Sequence, residues 1–467
     1  MQLKKTIVPL FCAGGIVLGA LWASPVHAQG KSVAEELIQI LEADGKISPE
    51  KADELRQRAK VENEAREAGV EAFRRDPVKA LKEDKSLDWL SRLSFSGDIR
   101  WRTEGFYQDN TNARTRQRVR LRLGMKAKIS DELEADVRLA SGNIDDPIST
   151  NQSLGDAFNK KAINIDRAYI KVTPGKTFGL GEWNGLSIYA GKMKNTIWSP
   201  SAGMGSEMIF DGDLTPDGTA QTLTLYSEPE GFFRKFELNA IEWWLKEASS
   251  SAESITWGGQ GVGTFQLSKS VAWTLGVGDY YFSHRSKIAQ EKNSNGDLLI
   301  TNSVQLKDGT IVKGGRSISS NPDNPIRDFA GGFNIFTVGT QFDVDTGYSQ
   351  WPLSFFIDYA LNTDAYSNDD TAIWVGAGLG KTKKPGDFSI AAIWARSETD
   401  SVLSMFSYSD FGKGGTNVQG PFIALNYQLL PNLTLTAKNH FISFIDRPAG
   451  QSNATLNRLQ LDAQMKF

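Results

Sequence analysis

The residues best suited to chemistry in this 467-residue chain lie between Thr115 and Ser130, where basic and apolar side chains alternate. Alternate residues of an extended strand share a face, and a strand with one apolar and one polar face separates an apolar phase from water. The polar face would carry Arg116, Arg118, Arg120, Arg122, Lys126 and Lys128. Such a row could attract anions, or it could pair with the nearby carboxylates Glu132, Glu134 and Asp136.

The flanking segments carry further basic residues with the same spacing. Arg100 and Arg102 alternate with Ile99 and Trp101, and Arg138 lies in the segment that follows. If these segments are neighbouring strands of one sheet, their charges form a continuous surface. We call this surface the basic wall, and its members are Arg100, Arg102, Arg116, Arg118, Arg120, Arg122, Lys126 and Arg138.

A second charged group, of opposite sign, occurs in the connection 195–219. Its acidic members are Glu207, Asp211, Asp213 and Asp217. Carboxylates that face the basic wall would create a transverse electric field, which biases ions and orders dipolar molecules. The alternative interpretation is an ordinary surface loop built from Asp-Gly turns.

The chain offers little for catalysis or metal binding. Beyond the N-terminal segment it has two histidines, His284 and His440, neither near a nucleophile in the sequence, and no Gly-x-Ser-x-Gly motif. The single cysteine, Cys12, lies in the N-terminal segment, which excludes a disulfide or a haem-attachment motif from the remainder. The formal net charge of −3 disfavours nucleic acid as a partner. We therefore expect no enzymatic activity, no cofactor and no metal.

Both ends of the chain indicate export to a membrane. Two lysines precede an apolar run over residues 7–22 and a cleavage site that ends at Ala28, which predicts a signal peptide over residues 1–28. At the other end, residues 455–467 alternate between apolar and polar side chains and finish on Phe467. This segment resembles the closing strand of bacterial outer-membrane β-barrels, whose terminal aromatic residue is recognised by the barrel assembly machinery.

Residues 29–90 are highly charged and helix-forming, unlike the rest of the chain. One helical face would carry Val33, Leu37, Ile40 and Leu41. Asp44-Gly45 predicts the end of this helix, and Ser48-Pro49 predicts the start of a second one. A periplasmic helical hairpin, a short coiled coil between protomers and a solvated spacer helix remain alternatives for this segment.

From residue 91 to residue 467 the hydrophobic period is two. The predicted strands are 92–103, 115–130, 132–141, 162–173, 184–194, 220–228, 232–246, 254–268, 270–283, 332–344, 351–361, 370–381, 386–397, 417–429, 432–446 and 453–467. Short and long connections alternate between them, as periplasmic turns and extracellular loops do in membrane barrels. The sequence therefore predicts an all-β fold, a transmembrane antiparallel β-barrel of about sixteen strands, with fourteen to eighteen possible.

A membrane barrel decides which way the basic wall faces. An arginine on the lipid side costs about 2–4 kcal/mol near the bilayer midplane, so the basic wall must face the lumen. Aromatic residues near strand ends are expected in the interfacial girdles, because their rings prefer the boundary between lipid and water. These are Trp89, Phe95, Trp101, Tyr107, Trp243, Trp244, Tyr280, Tyr281, Trp351 and Trp394.

Particular stretches resemble the outer-membrane porins of Gram-negative bacteria, including porin families with a short helical segment before the barrel. They are SFSGDIRWR from Ser94, RTRQRVRLRLGMKAKISDELEADVRLASG ending at Gly142, FDGDLTPDG over 210–218, and the terminal Phe467. The resemblance implies passive diffusion of small hydrophilic solutes through a water-filled pore, with a third extracellular loop that folds inward and narrows it. It also implies a homotrimer in contact with outer-membrane lipid and lipopolysaccharide. Phosphate-selective porins share an arginine-lined pore, but no feature of this sequence specifies phosphate.

Three other classes remain alternatives to a pore with a weak anion preference. The first is a sheath or scaffold barrel filled by a partner such as an electron carrier, and the second is a barrel enzyme. A gated receptor-type transporter is the third, but it needs a plug domain, for which residues 29–90 are too few.

Overall fold

The computed structural model describes residues 33–75, 92–179, 184–289, 291, 301–313, 323–411, 415–448 and 451–467. The predicted signal peptide and Trp89 lie outside the described residues. The chain divides into two compact units, residues 1–91 and 92–467.

The described part of the first unit is a pair of helices, α1 (Val33–Ala43) and α2 (Pro49–Arg75). Gly45, at a positive φ of 64°, ends α1 as predicted, and the Ser48 hydroxyl accepts a hydrogen bond from the Lys51 backbone N–H at the start of α2. Ile38 and Ala52 are buried. The predicted apolar face is only partly covered, because Leu37 and Ile40 remain more than half exposed.

Neither helix in the described residues is long and apolar enough to cross a membrane.

The second unit is one closed antiparallel barrel of sixteen strands, which confirms the predicted fold class and strand number. The strands are β1 (Leu93–Tyr107), β2 (Arg114–Lys128), β3 (Leu133–Ser141), β4 (Ile163–Val172), β5 (Leu186–Lys192), β6 (Asp217–Ser227), β7 (Phe233–Lys246), β8 (Ser254–Ser268), β9 (Val271–Phe282), β10 (Asn334–Val344), β11 (Leu353–Asn362), β12 (Thr371–Gly380), β13 (Phe388–Ser397), β14 (Val418–Leu430), β15 (Leu433–Phe444) and β16 (Leu456–Lys466). Each pairs with the next in the chain, and β1 also pairs with β16, so the barrel has no free edge.

The C-terminal residue takes part in this closure. The backbone of Phe467 exchanges two hydrogen bonds with Gly97 of β1, of 2.8 and 3.0 Å. A Cβ atom on Gly97 would come within 2.6 Å of the Phe467 ring. Glycine at position 97 therefore leaves room for the terminal ring against the first strand.

The alternation of the strands places apolar side chains outward and polar side chains inward around the basic wall. Trp101 of β1 is 55% exposed on the outer surface, whereas its neighbour Arg102 is buried inside the barrel. The girdle prediction is wrong for Trp243 and Tyr280, which are 2% and 0% exposed. Each is followed directly by another aromatic residue, and consecutive strand residues point to opposite faces, so one of each pair must face inward.

Two long connections contain short strands that the sequence did not predict. Val304–Leu306, Ile311–Val312 and Ile326–Phe329 form a small separate sheet between β9 and β10. Gln152–Ser153, in the connection between β3 and β4, pairs with β2.

Candidate functional site in the barrel lumen

The connection between β5 and β6, residues 193–216, crosses the interior of the barrel, and we call it the crossing loop. The Trp198 backbone N–H donates to the side chain of Gln260 at 2.9 Å, and the Ser206 hydroxyl donates to Asp358 at 2.6 Å. These partners lie on the inner faces of β8 and β11, far around the barrel from β5. The crossing loop also lies close to β12, since a Cβ atom at Gly378 would come within 2.2 Å of the loop backbone.

Aromatic packing holds the crossing loop against this side of the barrel. Phe210 contacts Trp243 edge-to-face, with ring centroids 5.1 Å apart, and Tyr280 in the same manner at 5.5 Å. Such pairs contribute about 0.5–1.5 kcal/mol beyond the apolar area they bury. The two aromatic residues that face inward instead of joining the girdles therefore form the seat of the crossing loop.

A second connection, residues 398–417 between β13 and β14, also folds inward, and we call it the second loop. Its Tyr408 N–H donates to the Glu207 carbonyl at 3.1 Å, and its Phe406 carbonyl accepts from the Asp211 N–H at 2.7 Å. The Ser409 N–H donates to the Asp211 carboxylate at 2.9 Å. The sequence predicts a long connection over 398–416, but we did not predict that it folds inward. The signal was present in its apolar residues, which are unusual for a loop in water: Val402, Leu403, Met405, Phe406, Tyr408 and Phe411.

The predicted acidic group is divided by these contacts. Burial raises the pKa of Glu207 to about 7, and burial together with the neighbouring Glu207 charge raises the pKa of Asp211 well above its ordinary value. Burial also acts to raise the pKa of Asp213, but the charges of Arg120 and Arg122 outweigh it and hold this pKa below its usual range. Placing Asp217 in the loop is wrong. It begins β6, where it pairs in register with Lys192 and forms a 3.3 Å ion pair with it.

Asp213 joins the crossing loop to the basic wall. It lies 3.3 Å from the Arg122 guanidinium, and its other oxygen accepts from the Thr150 hydroxyl at 3.0 Å. On the wall itself, Asp98 bridges Arg120 and Arg122, at 2.8 and 2.6 Å. The basic wall and the crossing loop are thus in direct contact at this point.

Asp410 joins the second loop to the same wall. It pairs with Arg102 at 2.9 Å and with Arg458 of β16 at 2.7 Å. Arg102 is also held by both oxygens of Asp462, at 2.7 and 2.8 Å. Arg458 also pairs with the fully buried Glu104, at 2.8 Å. Charges from β1, β16 and the second loop therefore form one buried network.

The remaining arginines of the basic wall have other partners. Arg116 pairs with Glu104, and Arg138 forms an ion pair with Asp166 of β4. The two others contact the connection between β3 and β4: Arg100 donates to the side chain of Asn151 at 2.7 Å, and Arg118 to its carbonyl at 3.3 Å.

The carboxylates expected from the sequence are not the partners of the β2 arginines. Asp136 lies 3.4 Å from Arg167, and Glu132 accepts hydrogen bonds from the Lys176 and Thr177 backbone in the connection between β4 and β5. The pairing register explains this, because the β2–β3 ladder places Glu134 and Asp136 beside the lysines at the end of β2. The arginines lie nearer the N-terminal end of β2, and there β1 supplies Asp98 and Glu104.

His440 is buried beneath the second loop. Its Nε2 lies 3.1 Å from the Tyr408 hydroxyl, and its Nδ1 lies 3.4 Å from the Arg458 carbonyl. The Lys438 ammonium donates to the same hydroxyl at 3.0 Å. This polar cluster anchors Tyr408 to the inner face of β15.

An open cavity of about 560 Å³ lies beside the crossing loop on the side of the long connections. Charged groups line it: Asp145, Asp146, Asp166, Asp213, Asp217, Glu291, Lys192 and Lys246. Among the residues that the structure describes, no group of three or more His, Cys, Asp or Glu side chains is arranged to hold a metal ion. The cavity is therefore polar and open to water.

A closed sixteen-stranded membrane barrel of this kind is the architecture of a bacterial outer-membrane porin. The sequence matches the family described as "Putative porin" over residues 105–310 and 329–467. The chain belongs to this family, and the barrel is an outer-membrane channel barrel. A search of curated proteins found no match.

The chain is similar to solved porin structures at low sequence identity. The high-pH structure of OprB from Pseudomonas putida is 14% identical, with a TM-score of 0.51, over 82% of this chain and 96% of that one. OmpF of Salmonella typhi, solved with daunomycin, is 8% identical, with a TM-score of 0.44, over 80% and 97%. A mutant porin of Rhodopseudomonas blastica is 10% identical, with a TM-score of 0.41, over 80% and 100%.

Proposed function

We propose that this protein is a passive pore for small hydrophilic solutes, with its narrowest passage between the crossing loop and the basic wall. The observation that carries this proposal is the two-sided seating of the crossing loop. Phe210 packs on the aromatic side of the lumen, while Asp213 reaches Arg122 on the opposite side. The side of the lumen where Asp213 meets Arg122 and Thr150 carries charged and polar groups, which suit water and hydrophilic solutes.

The ion preference that we propose is weakly anionic. The arginines of the basic wall are largely compensated by carboxylates, which are Asp98, Glu104, Asp213, Asp410 and Asp462. Fixed charges select ions through their net field, and compensated pairs contribute little to it. The excess of cations on this side therefore favours anions only modestly.

The two inward loops argue against a sheath for another protein. Both come from this chain, and both are buried against the inner wall through Phe210, Phe406 and Tyr408. A lumen occupied by its own loops leaves little room for a partner such as an electron carrier. Catalysis by His440 is equally disfavoured, because both of its ring nitrogens face protein groups.

Liposome swelling with sugars of increasing size tests the proposal. Wild-type protein should admit monosaccharides and exclude larger oligosaccharides. A variant with residues 199–212 replaced by a short Gly-Ser linker should admit larger sugars, because the constriction is then removed. A barrel that folds correctly but admits no sugar in either form would contradict a diffusion pore.

Several features of the cellular setting also belong to the proposal. We propose cleavage after Ala28, a helical periplasmic segment up to residue 90, recognition of Phe467 by the barrel assembly machinery, and a homotrimer embedded in outer-membrane lipid and lipopolysaccharide. The intact mass of the exported protein tests the cleavage, with Gln29 expected at the N-terminus. Native mass spectrometry of the detergent complex tests the trimer, and a monomer alone would contradict it.

A further inference from the structure

We propose that a lysine cluster on the inner wall, formed by Lys126, Lys171 and Lys194, binds small oxyanions such as inorganic phosphate. This inference rests on the proposed pore, and it assigns the anion-binding site of that pore to lysines and not to the arginines of the basic wall. Lys126 comes from β2, Lys171 from β4, and Lys194 from the start of the crossing loop.

The strand register brings these residues to one patch of the wall. Across β2, β3, β4 and β5, Lys126 is paired with Asp136, Asp136 with Tyr169, and Tyr169 with Gly191. Lys171 lies two residues further along β4 than Tyr169, and its register partner on β5 is Tyr189.

Two tyrosine rings form the floor of the patch. The rings of Tyr169 and Tyr189 lie 6.0 Å apart, and the Lys194 ammonium is 5.7 Å from the centre of the Tyr189 ring. A cation held over an aromatic face keeps its charge available to a ligand on its other side. The three lysines remain accessible to water in the lumen, since none of them is buried.

The lysines differ from the arginines of the basic wall in lacking a close ion pair with a carboxylate. Among the described residues, the side chains of Lys126, Lys171 and Lys194 form no ion pair within 4 Å of a carboxylate and no hydrogen bond. The carboxylates that face them are Glu134, opposite Lys171 in the ladder, and Asp136, which is opposite Lys126 and lies 3.4 Å from Arg167. Two carboxylates therefore face three lysines and Arg167, which leaves the cluster with a net positive charge.

The surroundings of Lys194, which lies outside the strands, disfavour its charged form. Partial burial lowers the pKa of Lys194, and the charges of Lys126, Lys171 and Arg167 lower it further, while Asp136 opposes them. A bound oxyanion would remove this repulsion and accept hydrogen bonds from several ammonium groups.

The position of the cluster suits an anion-binding site between the constriction and the exit of the pore. Lys126 and Lys171 lie near the ends of β2 and β4 that lead into the short periplasmic turns. An anion that passes the constriction would meet the cluster before it leaves the barrel. Several weakly attractive groups along a path help conduction, because binding must allow both entry and release.

Ion selectivity provides the first test. The triple variant K126Q/K171Q/K194Q should lower the anion-to-cation permeability ratio by about twofold for each lysine removed, measured from the reversal potential under a salt gradient. The matched control is K128Q, because Lys128 lies on the same face of β2 but is paired with Asp131 at 3.2 Å. K128Q should leave the ratio within experimental error of the wild type.

Direct binding separates this inference from the proposed pore. Calorimetric titration of the detergent-folded protein with inorganic phosphate should show binding for the wild type and K128Q, and none for the triple variant. Circular dichroism verifies that each variant keeps the barrel. Unchanged selectivity and unchanged phosphate binding in the triple variant would overturn the inference and leave the pore intact. If the wild type binds phosphate through these lysines but does not conduct, the proposed function fails and the binding site stands.

Discussion

Replacement of Asp410 by asparagine should release the second loop from the basic wall. The Asp410 carboxylate is the group through which this loop pairs with Arg102 and Arg458. Asparagine keeps the size of the side chain and one acceptor oxygen but removes the charge. The change therefore isolates the ionic attachment of the loop from its apolar packing.

The free-energy cost of this change depends on which carboxylates remain paired with Arg102 and Arg458. Removal of one partner from a buried ion pair costs about 3–5 kcal/mol when the other charge is left alone. Arg102 keeps Asp462, and Arg458 keeps Glu104. We therefore expect the lower end, about 3 kcal/mol, which corresponds to an increase of about 100-fold in the population of the displaced loop.

The attachment through Asp410 should not depend on pH in the neutral range. Burial acts to raise the pKa of Asp410, but the charges of Arg458 and Arg102 hold it well below its ordinary value. A carboxylate with a lowered pKa in the folded state contributes stability above its unfolded pKa and loses it only as the pH falls through the folded value. Between pH 5 and pH 8 the contribution is therefore constant.

Single-channel recording measures the release of the loop. D410N should show a larger mean conductance and more open-channel noise than the wild type, at equal barrel content by circular dichroism. D369N is the matched control, because Asp369 forms an exposed 2.9 Å ion pair with Lys313 in other connections. Identical conductance and noise in D410N and the wild type would refute the assignment of Asp410 as the attachment of the second loop.

Three further predictions concern the crossing loop and the closure of the barrel. The pKa of Glu207 is raised to about 7, so the docked crossing loop loses stability as the pH rises from about 4.5 to 7. Wild-type channel noise should therefore increase over that pH range, and E207Q should flatten the increase. An equally steep rise in E207Q would contradict the reasoning. F210A should weaken docking of the crossing loop by about 3–5 kcal/mol, seen as faster proteolysis of the loop in the folded barrel, whereas wild-type resistance would show that the aromatic seat is unimportant. G97A should displace the Phe467 ring and lower the free energy of unfolding of the barrel in urea by about 1–3 kcal/mol. G261A is the control, because a Cβ atom there meets nothing closer than 3.7 Å, and its stability should be nearly that of the wild type.

The strands could be predicted from the sequence because a membrane barrel has one simple rule. Each strand alternates between lipid and lumen, and the turns alternate in length, so all sixteen strands followed from the period of two. The same rule, applied to the consecutive pairs Trp243-Trp244 and Tyr280-Tyr281, would have shown that one member of each pair faces inward.

The partners of the basic wall could not be predicted in the same way. Arg102 pairs with Asp462, which is 360 residues away in the sequence, because β16 closes the barrel against β1. Asp410 reaches Arg102 from a loop whose inward fold depends on apolar packing with the crossing loop. Contacts between loops and a distant wall depend on tertiary packing, for which strand periodicity carries no signal.

The most direct test of the account is the conductance of purified wild-type protein in a planar lipid bilayer under a salt gradient. A water-filled pore predicts stable, stepwise openings and a reversal potential with the sign of a modest anion preference. A correctly folded barrel that never conducts would contradict the central claim that the lumen is an open path for solutes.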